Sequence, residues 1–170
     1  MDFDDYVAAR GAALLRFAYV LTQDSHAAED AVQSALAEAF RHWRRISRTD
    51  HPDAYVRRMI TNTYLGSRRR RWSKEQPSGL SPDDGAFLSD HGESVAGQDE
   101  ARRALGALAP RARAILVLRY YADLDDSDIS KILNISQSTV RATASRALAA
   151  LRGRQNSGHA PLFDRQEEKQ

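Results

Sequence analysis

The feature that most constrains the fold is a pair of amphipathic segments around a short turn, at residues 126–154. Asn134 tolerates the left-handed conformation in which helices often end, and Ser136 is suited to cap the helix that follows. The pattern predicts a helix-turn-helix, with a first helix over about 127–133 and a longer second one. Apolar side chains recur at helical spacing in both segments, at Ile129, Ile132 and Leu133 and then at Val140, Ala144, Ala147, Leu148 and Leu151.

The charge of the second segment points to nucleic acid. Between Ser136 and Arg154 there are four arginines and no acid, whereas a merely solvated helix usually mixes both signs. Short polar side chains at the helix start allow close approach to base-pair edges, which Gln and Arg can bond. We predict that this helix enters a major groove. A helical hairpin packed inside a bundle, with solvated arginines, fits the apolar spacing equally well.

Composition narrows the class of protein. The 170 residues suffice for one ordinary domain or two small ones, and the net charge is only +2. The absence of cysteine excludes disulfides and cysteine–zinc sites and fits a reducing cytoplasm. The acidic start is unlike a signal peptide, and no apolar run approaches the roughly 18 residues of a membrane span. Five scattered histidines and no glycine-rich phosphate loop predict no metal, no cofactor and no enzyme.

The first half of the chain predicts three helices, over 3–22, 26–45 and about 53–72. The last of these follows a loop, in which Pro52 is suited to open the helix. Between Arg41 and Trp72 there are ten arginines against two aspartates. The aromatic residues interleaved with them are Trp43, Tyr55, Tyr64 and Trp72. Arginines neutralise phosphates, and exposed aromatic rings stack on unpaired bases. We expect a nucleic-acid surface here, although core packing is the better expectation for Trp43 and Tyr55.

A change of composition separates two modules. Residues 73–97 are rich in Ser, Gly, Pro and acids without periodicity, and predict a flexible acidic linker. A second helical module is predicted over 98–154, with a short helix from about 98, another over 111–121 and then the helix-turn-helix. The polar residues 155–170 predict a disordered tail.

The combination resembles a known family. Segments such as A-E-D-A-V-Q-S-A-L (28–36), H-P-D-A-Y-V-R-R-M-I-T-N (51–62) and S-Q-S-T-V-R-A-T-A-S-R-A-L (136–148) resemble bacterial RNA polymerase sigma factors of the extracytoplasmic-function group, in their SigE-like actinobacterial branch. The resemblance implies an all-α fold of two small domains joined by a flexible linker. These are a sigma-2 helical bundle within 1–72 and a sigma-4 helix-turn-helix within 98–154.

The resemblance also implies partners and binding residues. A sigma factor directs core RNA polymerase to promoters and assists their melting, in the cytoplasm. Its partners are the clamp coiled coil of the largest polymerase subunit, the flap for sigma-4, promoter DNA and an anti-sigma factor. The residues implied for the core polymerase are Glu29, Asp30 and Gln33. Those implied for the minus-ten element are Arg44, Arg45, Ser47, Arg48, His51, Arg57, Arg58, Asn62, Arg68, Arg69, Arg70 and Arg71. Those implied for the minus-thirty-five element are Gln137, Ser138, Thr139, Arg141, Ala142, Ser145 and Arg146.

Two other classes of protein compete with this interpretation. A stand-alone helix-turn-helix regulator would bind promoter duplex without polymerase. It would account for residues 126–154 but leave the arginine-rich segment 41–72 unexplained. An enzyme finds no supporting motif in the sequence. Whether the two modules pack on each other in the free protein is left open by the sequence.

Overall fold

The structure is a computed structural model that describes residues 1–75 and 96–157. Every regular element in these two ranges is helical, in agreement with the predicted all-α class. Most of the predicted linker (76–95) and of the predicted tail (158–170) lies outside the described residues. The helices are α1 (Phe3–Thr22), α2 (Ser25–Arg41), α3 (Trp43–Ile46), α4 (Pro52–Glu75), α5 (Ala96–Gly106), α6 (Pro110–Leu116), α7 (Asp126–Leu133) and α8 (Gln137–Ser157), with a π-helical turn at Val117–Tyr121 between α6 and α7.

The first module begins with α1, which has the predicted bounds. The Asp2 carboxylate accepts a hydrogen bond from the Asp5 backbone N–H at 2.8 Å, and this satisfies one of the free donors at the helix start. The helix ends at Gln23, whose φ of 61° lies in the left-handed region. Asp24 then caps α2 by accepting from the Ala27 N–H at 2.7 Å. Local side-chain chemistry therefore sets both helix boundaries.

The predicted second helix, 26–45, is two helices in the structure. α2 ends at Arg41, and α3 starts at Trp43 after a break at His42. The Trp43 ring packs against α1, with its centroid 5.4 Å from that of Phe3 and 4.6 Å from that of Tyr6. This contact holds the chain in its new direction. The spacing of apolar residues alone did not show the break, because Trp43 falls at an apolar position whether the helix continues or is interrupted at His42.

Helix α4 is longer than predicted and supplies the centre of the first module. It runs from Pro52 to Glu75 instead of ending near residue 72. Arginine is a good helix former, so the basic run at 68–71 continues the helix. Its inner face buries Val56 and Ile60 completely, and Tyr64 is 4 % exposed.

The helix-turn-helix of the second module is confirmed. Asp125 caps α7 by accepting from the Asp128 N–H at 2.8 Å, one residue earlier than predicted. Asn134 ends the helix with a φ of 53°. Ser136 Oγ then accepts from the Thr139 N–H at 3.1 Å at the start of α8. Because α8 continues to Ser157, the prediction of a disordered tail is wrong for residues 155–157.

The helix predicted over 111–121 also changes character within its length. α6 ends at Leu116, and the next turn is π-helical, closed by a bond of 3.0 Å from the Ala122 N–H to the Val117 carbonyl. The wider turn keeps Val117 and Leu118 buried. It also turns Tyr120 outward, where its side chain is 63 % exposed.

The two modules pack on each other and share one apolar core. Arg113 of α6 is 6 % exposed and donates from Nη2 to the Tyr64 hydroxyl of α4 at 2.8 Å. Arg102 of α5 donates to the Tyr19 hydroxyl of α1. The rings of Phe17 and Tyr121 lie 6.2 Å apart across the same boundary. The structure thus answers the question that the sequence left open.

Candidate nucleic-acid interface

An exposed loop at residues 47–51 joins α3 to α4 and carries three of the implied minus-ten residues. Ser47, Arg48 and His51 are all exposed on it. Ile46, which precedes the loop, is fully buried, and the Thr49 hydroxyl donates to the Ile46 carbonyl at 2.7 Å. The loop therefore rises from a fixed base and presents its tip to solvent.

Side chains of α1 hold the far end of this loop. Arg10 forms an ion pair with Asp53, in the first turn of α4. Partial burial alone would raise the pKa of the Asp53 carboxyl, but the hydrogen bond from Arg10 and the adjacent Tyr6 hydroxyl outweigh it and hold that pKa below its ordinary value. Asp53 is therefore ionised at neutral pH. Burial, together with the neighbouring Asp53 carboxylate, raises the pKa of Tyr6, whose hydroxyl has no partner of good hydrogen-bond geometry.

Sequence reasoning did not find this arrangement. The sequence predicts a core position for Tyr6 and a helix start for Asp53, but it gives no sign that they meet. Arg10 and Asp53 are 43 residues apart, and neither belongs to a recognisable motif. The one available signal was the aspartate that directly follows Pro52.

Most of the remaining minus-ten residues form a basic strip along α3 and α4. Arg45 is exposed and donates from Nη2 to the Tyr55 hydroxyl at 2.7 Å. Arg57 differs from the others because its guanidinium lies over the Phe17 ring, 5.6 Å from the centroid, and its side chain is half-buried. Arg68 is also half-buried. The exposed members of the strip are Arg44, Arg45, Arg58, Asn62, Arg69, Arg70 and Arg71.

The aromatic residues between these arginines mostly pack inward. Trp43 and Tyr55 are half-buried against the core, in agreement with the structural alternative given above. Tyr64 is buried and bonded to Arg113, so the expectation that it stacks on bases is wrong for this conformation. Nothing is described of the Trp72 side chain. The surface here is consequently basic more than aromatic.

The residues implied for core polymerase share the outer face of α2. Glu29, Asp30 and Gln33 are exposed there within little more than one turn. The inner face packs Ala28, Val32 and other small side chains against α1 and α4. This tight packing of small residues keeps α2 close to its neighbours and leaves the acidic face free for a partner.

In the predicted recognition helix, α8, one face is buried and the residues implied for the minus-thirty-five element are exposed. Val140, Ala144 and Ala147 are buried. The Ser136 hydroxyl lies 2.9 Å from that of Ser138 at the start of this face. The exposed side chains are Gln137, Ser138, Thr139, Arg141, Ala142, Ser145 and Arg146. The three implied sets thus lie on different elements: the first on α2, the second on α3, the loop and α4, and the third on α8.

The part of the chain that the structure describes holds no group of three His, Asp or Glu side chains suited to a metal ion. Nor does any helix in 1–75 or 96–157 have the length and apolarity needed to cross a membrane.

Comparison with known families finds two matches. Residues 7–74 match the family described as Sigma-70 region 2, and residues 98–151 match Sigma-70, region 4. The chain is 36 % identical over 152 residues to the RNA polymerase sigma-E factor of Streptomyces avermitilis, covering 89 % of this chain and 84 % of the relative. It is 35 % identical to the RNA polymerase sigma-E factor of Streptomyces coelicolor, over 89 % of this chain and 85 % of that one.

Solved structures share the fold. The sigma factor RpoE of Bartonella quintana, solved with the anti-sigma factor NepR, has a TM-score of 0.69 at 24 % identity and covers 91 % of this chain and 97 % of that one. CnrH, solved with the cytosolic domain of CnrY, has a TM-score of 0.58 at 21 % identity, over 91 % of this chain and 88 % of that chain.

Proposed function

This chain belongs to the sigma-70 family of RNA polymerase sigma factors, in its extracytoplasmic-function group, and we propose that the three surfaces described above divide the work of such a factor among them. A sigma factor directs core RNA polymerase to promoters for the initiation of transcription. A stand-alone helix-turn-helix regulator is not favoured, because the region 2 match covers residues 7–74, which that alternative leaves without a role. We propose further that the chain is not itself a catalyst and that it acts in the cytoplasm.

The outer face of α2 is the proposed contact with core polymerase. Glu29, Asp30 and Gln33 are exposed on it. The acids suit a basic partner surface, on which opposite charges steer the approach and fix the orientation. The clamp coiled coil of the largest polymerase subunit is the proposed partner here, and the flap is the proposed partner of the second module.

The loop 47–51 and the strip on α4 are the proposed minus-ten site. The arginines neutralise backbone phosphates, and the exposed loop offers Ser47 and His51 to an extruded base. Asn62 is exposed about three turns from the start of α4, the helix that carries most of these arginines. We expect Arg57 and Arg68 to contribute less than their exposed neighbours, because part of each side chain is already packed.

The start of α8 is the proposed minus-thirty-five site. Its short side chains, Ser138 and Thr139, allow the helix to sit deep in a major groove, where Gln137 and Arg141 reach base edges. The observation that carries the whole proposal is that two exposed basic surfaces lie on different modules of one chain. One surface suits opened strands and the other suits duplex.

An anti-sigma protein is a further proposed partner. Both structural relatives were solved with a second protein bound, and one of these second proteins, NepR, is named as an anti-sigma factor. In the sequence of this chain, nothing specifies which protein fills that role.

The proposal is tested by disrupting the α2 face. We expect Asp30→Arg combined with Gln33→Ala to weaken binding to bacterial core polymerase by at least about tenfold, which corresponds to about 1.4 kcal/mol. His26→Ala, an exposed change at the start of the same helix, is the matched control. Helical content by circular dichroism should match the wild type for both. Full core affinity in the double variant would refute the assignment of this face.

A further inference from the structure

We propose that α1 is a positioning element for promoter opening: through Tyr6 and Arg10 it fixes both ends of loop 47–51 in a shape ready to receive a base. The inference rests on the proposed minus-ten role of this loop. It assigns a function to two side chains that do not themselves contact DNA. They act through Trp43 and Asp53, which flank the loop.

At the far end of the loop, the contact is electrostatic. Arg10 pairs with Asp53, one residue after Pro52 opens α4. The aspartate also suits the positive end of the α4 dipole. With Arg10 in place, the carboxylate is neutralised within a strip of arginines that must attract phosphates. Without it, a free negative charge would stand beside the path of the DNA strand.

At the near end, the contact is aromatic. The Tyr6 ring lies 4.6 Å from the Trp43 ring, in a tilted arrangement, and Phe3 meets the other side of Trp43 edge-on. Tyr6 is 2 % exposed, so its position is set by the core.

A second brace crosses the loop independently of α1. Arg45 of α3 donates to the Tyr55 hydroxyl of α4 at 2.7 Å and lies 5.9 Å from the centre of that ring. Both flanks are thus held, while residues 47–51 between them are exposed. Ordering a free residue costs conformational entropy, and a loop that is ordered before binding avoids much of that cost. The contacts that Tyr6 and Arg10 make at the two ends of the loop should therefore matter at the step in which a base is captured.

The test compares Arg10→Gln with Arg16→Gln, which removes the same charge from an exposed position on the same helix. Each variant is assembled with core polymerase. Binding is then measured to a fluorescent single-stranded oligonucleotide that carries the non-template minus-ten sequence of the strongest promoter selected from genomic fragments. Promoter opening is followed on the same promoter by 2-aminopurine fluorescence.

We expect Arg10→Gln to weaken oligonucleotide binding about fivefold, equivalent to about 1 kcal/mol, and to slow opening. Core affinity and the unfolding temperature should stay at wild-type values, since an exposed ion pair contributes little to stability. Arg10→Lys should retain most of the wild-type oligonucleotide binding and opening rate. The double variant with Asp53→Asn should be no worse than the more severe single change, because both remove one interaction.

Two outcomes separate this inference from the proposed function beneath it. If Arg48→Ala and His51→Ala in the loop leave oligonucleotide binding unchanged, the loop is not the minus-ten site and the proposed function fails there. If those loop variants do weaken binding while Arg10→Gln behaves like Arg16→Gln, the loop assignment stands and the positioning role of α1 is refuted. A loss of core affinity or of unfolding temperature in Arg10→Gln that matches its loss of DNA binding would also overturn the positioning role.

Discussion

The guanidinium of Arg113 shows how much a single residue contributes to the shape of this protein. It is buried, and its hydrogen bonds go to neutral oxygens: the Tyr64 hydroxyl, the Gly106 carbonyl at 3.3 Å and the Leu105 carbonyl at 3.5 Å. Its Nε is buried without a partner in the described residues. A buried charge of this kind is costly unless its donors are satisfied. Of these three bonds of Arg113, the one to Tyr64 joins the two modules.

Tyr64→Phe removes the acceptor and keeps the ring. We expect the free energy of unfolding to fall by about 1–3 kcal/mol, since a buried donor of Arg113 then loses its partner. Urea denaturation followed by circular dichroism measures the change. Tyr121→Phe is the control, because the ring contact with Phe17 survives and the side chain is 46 % exposed. Equal stability of wild type and Tyr64→Phe would show that this bond does not hold the modules together.

At the scale of single residues, the sequence predicted helix ends and caps, which depend on neighbouring residues. It did not predict side-chain contacts between residues that are distant in the sequence. The helix end at Asn134 and the cap at Ser136 could be predicted, because each depends on residues no more than four positions away. The partner of Arg113 is 49 residues away, so nothing in the sequence around it identifies Tyr64. The same holds for Arg10 and Asp53.

Among the elements, the helix-turn-helix was the most predictable. Its two helices carry regular apolar spacing, and caps at Asp125 and Ser136 mark their starts. Elsewhere the apolar period continued through real breaks. α2 and α3 read as one helix because Trp43 fits the period, and the π-helical turn after Leu116 carries no local signature. A change of helix direction or type depends on tertiary contacts, which periodicity does not record.

The element-scale prediction concerns α8. In the holoenzyme, Arg141→Ala should weaken binding to a duplex that carries the minus-thirty-five sequence by about 1–3 kcal/mol, because the exposed guanidinium faces the groove. Arg103→Ala removes the same charge from an exposed position on α5 and should change affinity little. Fluorescence anisotropy at several salt concentrations separates a base contact from a phosphate contact, since only the loss of a phosphate contact lowers the salt dependence of binding. Identical affinities for the two variants would contradict the readout role of α8.

At the scale of the whole molecule, the two modules are packed together, whereas the two promoter elements that they are proposed to bind lie far apart on DNA. In the structure, α6 and α7 lie against α4, and Arg113 touches Tyr64. A two-point grip on duplex needs contact sites roughly 70 Å apart, which is two turns of DNA. We therefore expect the modules to be arranged differently in the promoter-bound form. The surface of core polymerase is the natural agent for setting the promoter spacing, if it contacts each module separately as proposed.

The most direct test of this account is transcription from genomic fragments with and without core polymerase. The account predicts that the free chain selects no promoter. Together with core polymerase it should start transcripts at fixed positions downstream of a shared pair of upstream elements. The contrary result is equally clear: no measurable core binding, together with tight sequence-specific duplex binding by the free chain, would contradict the assignment of a two-point promoter grip.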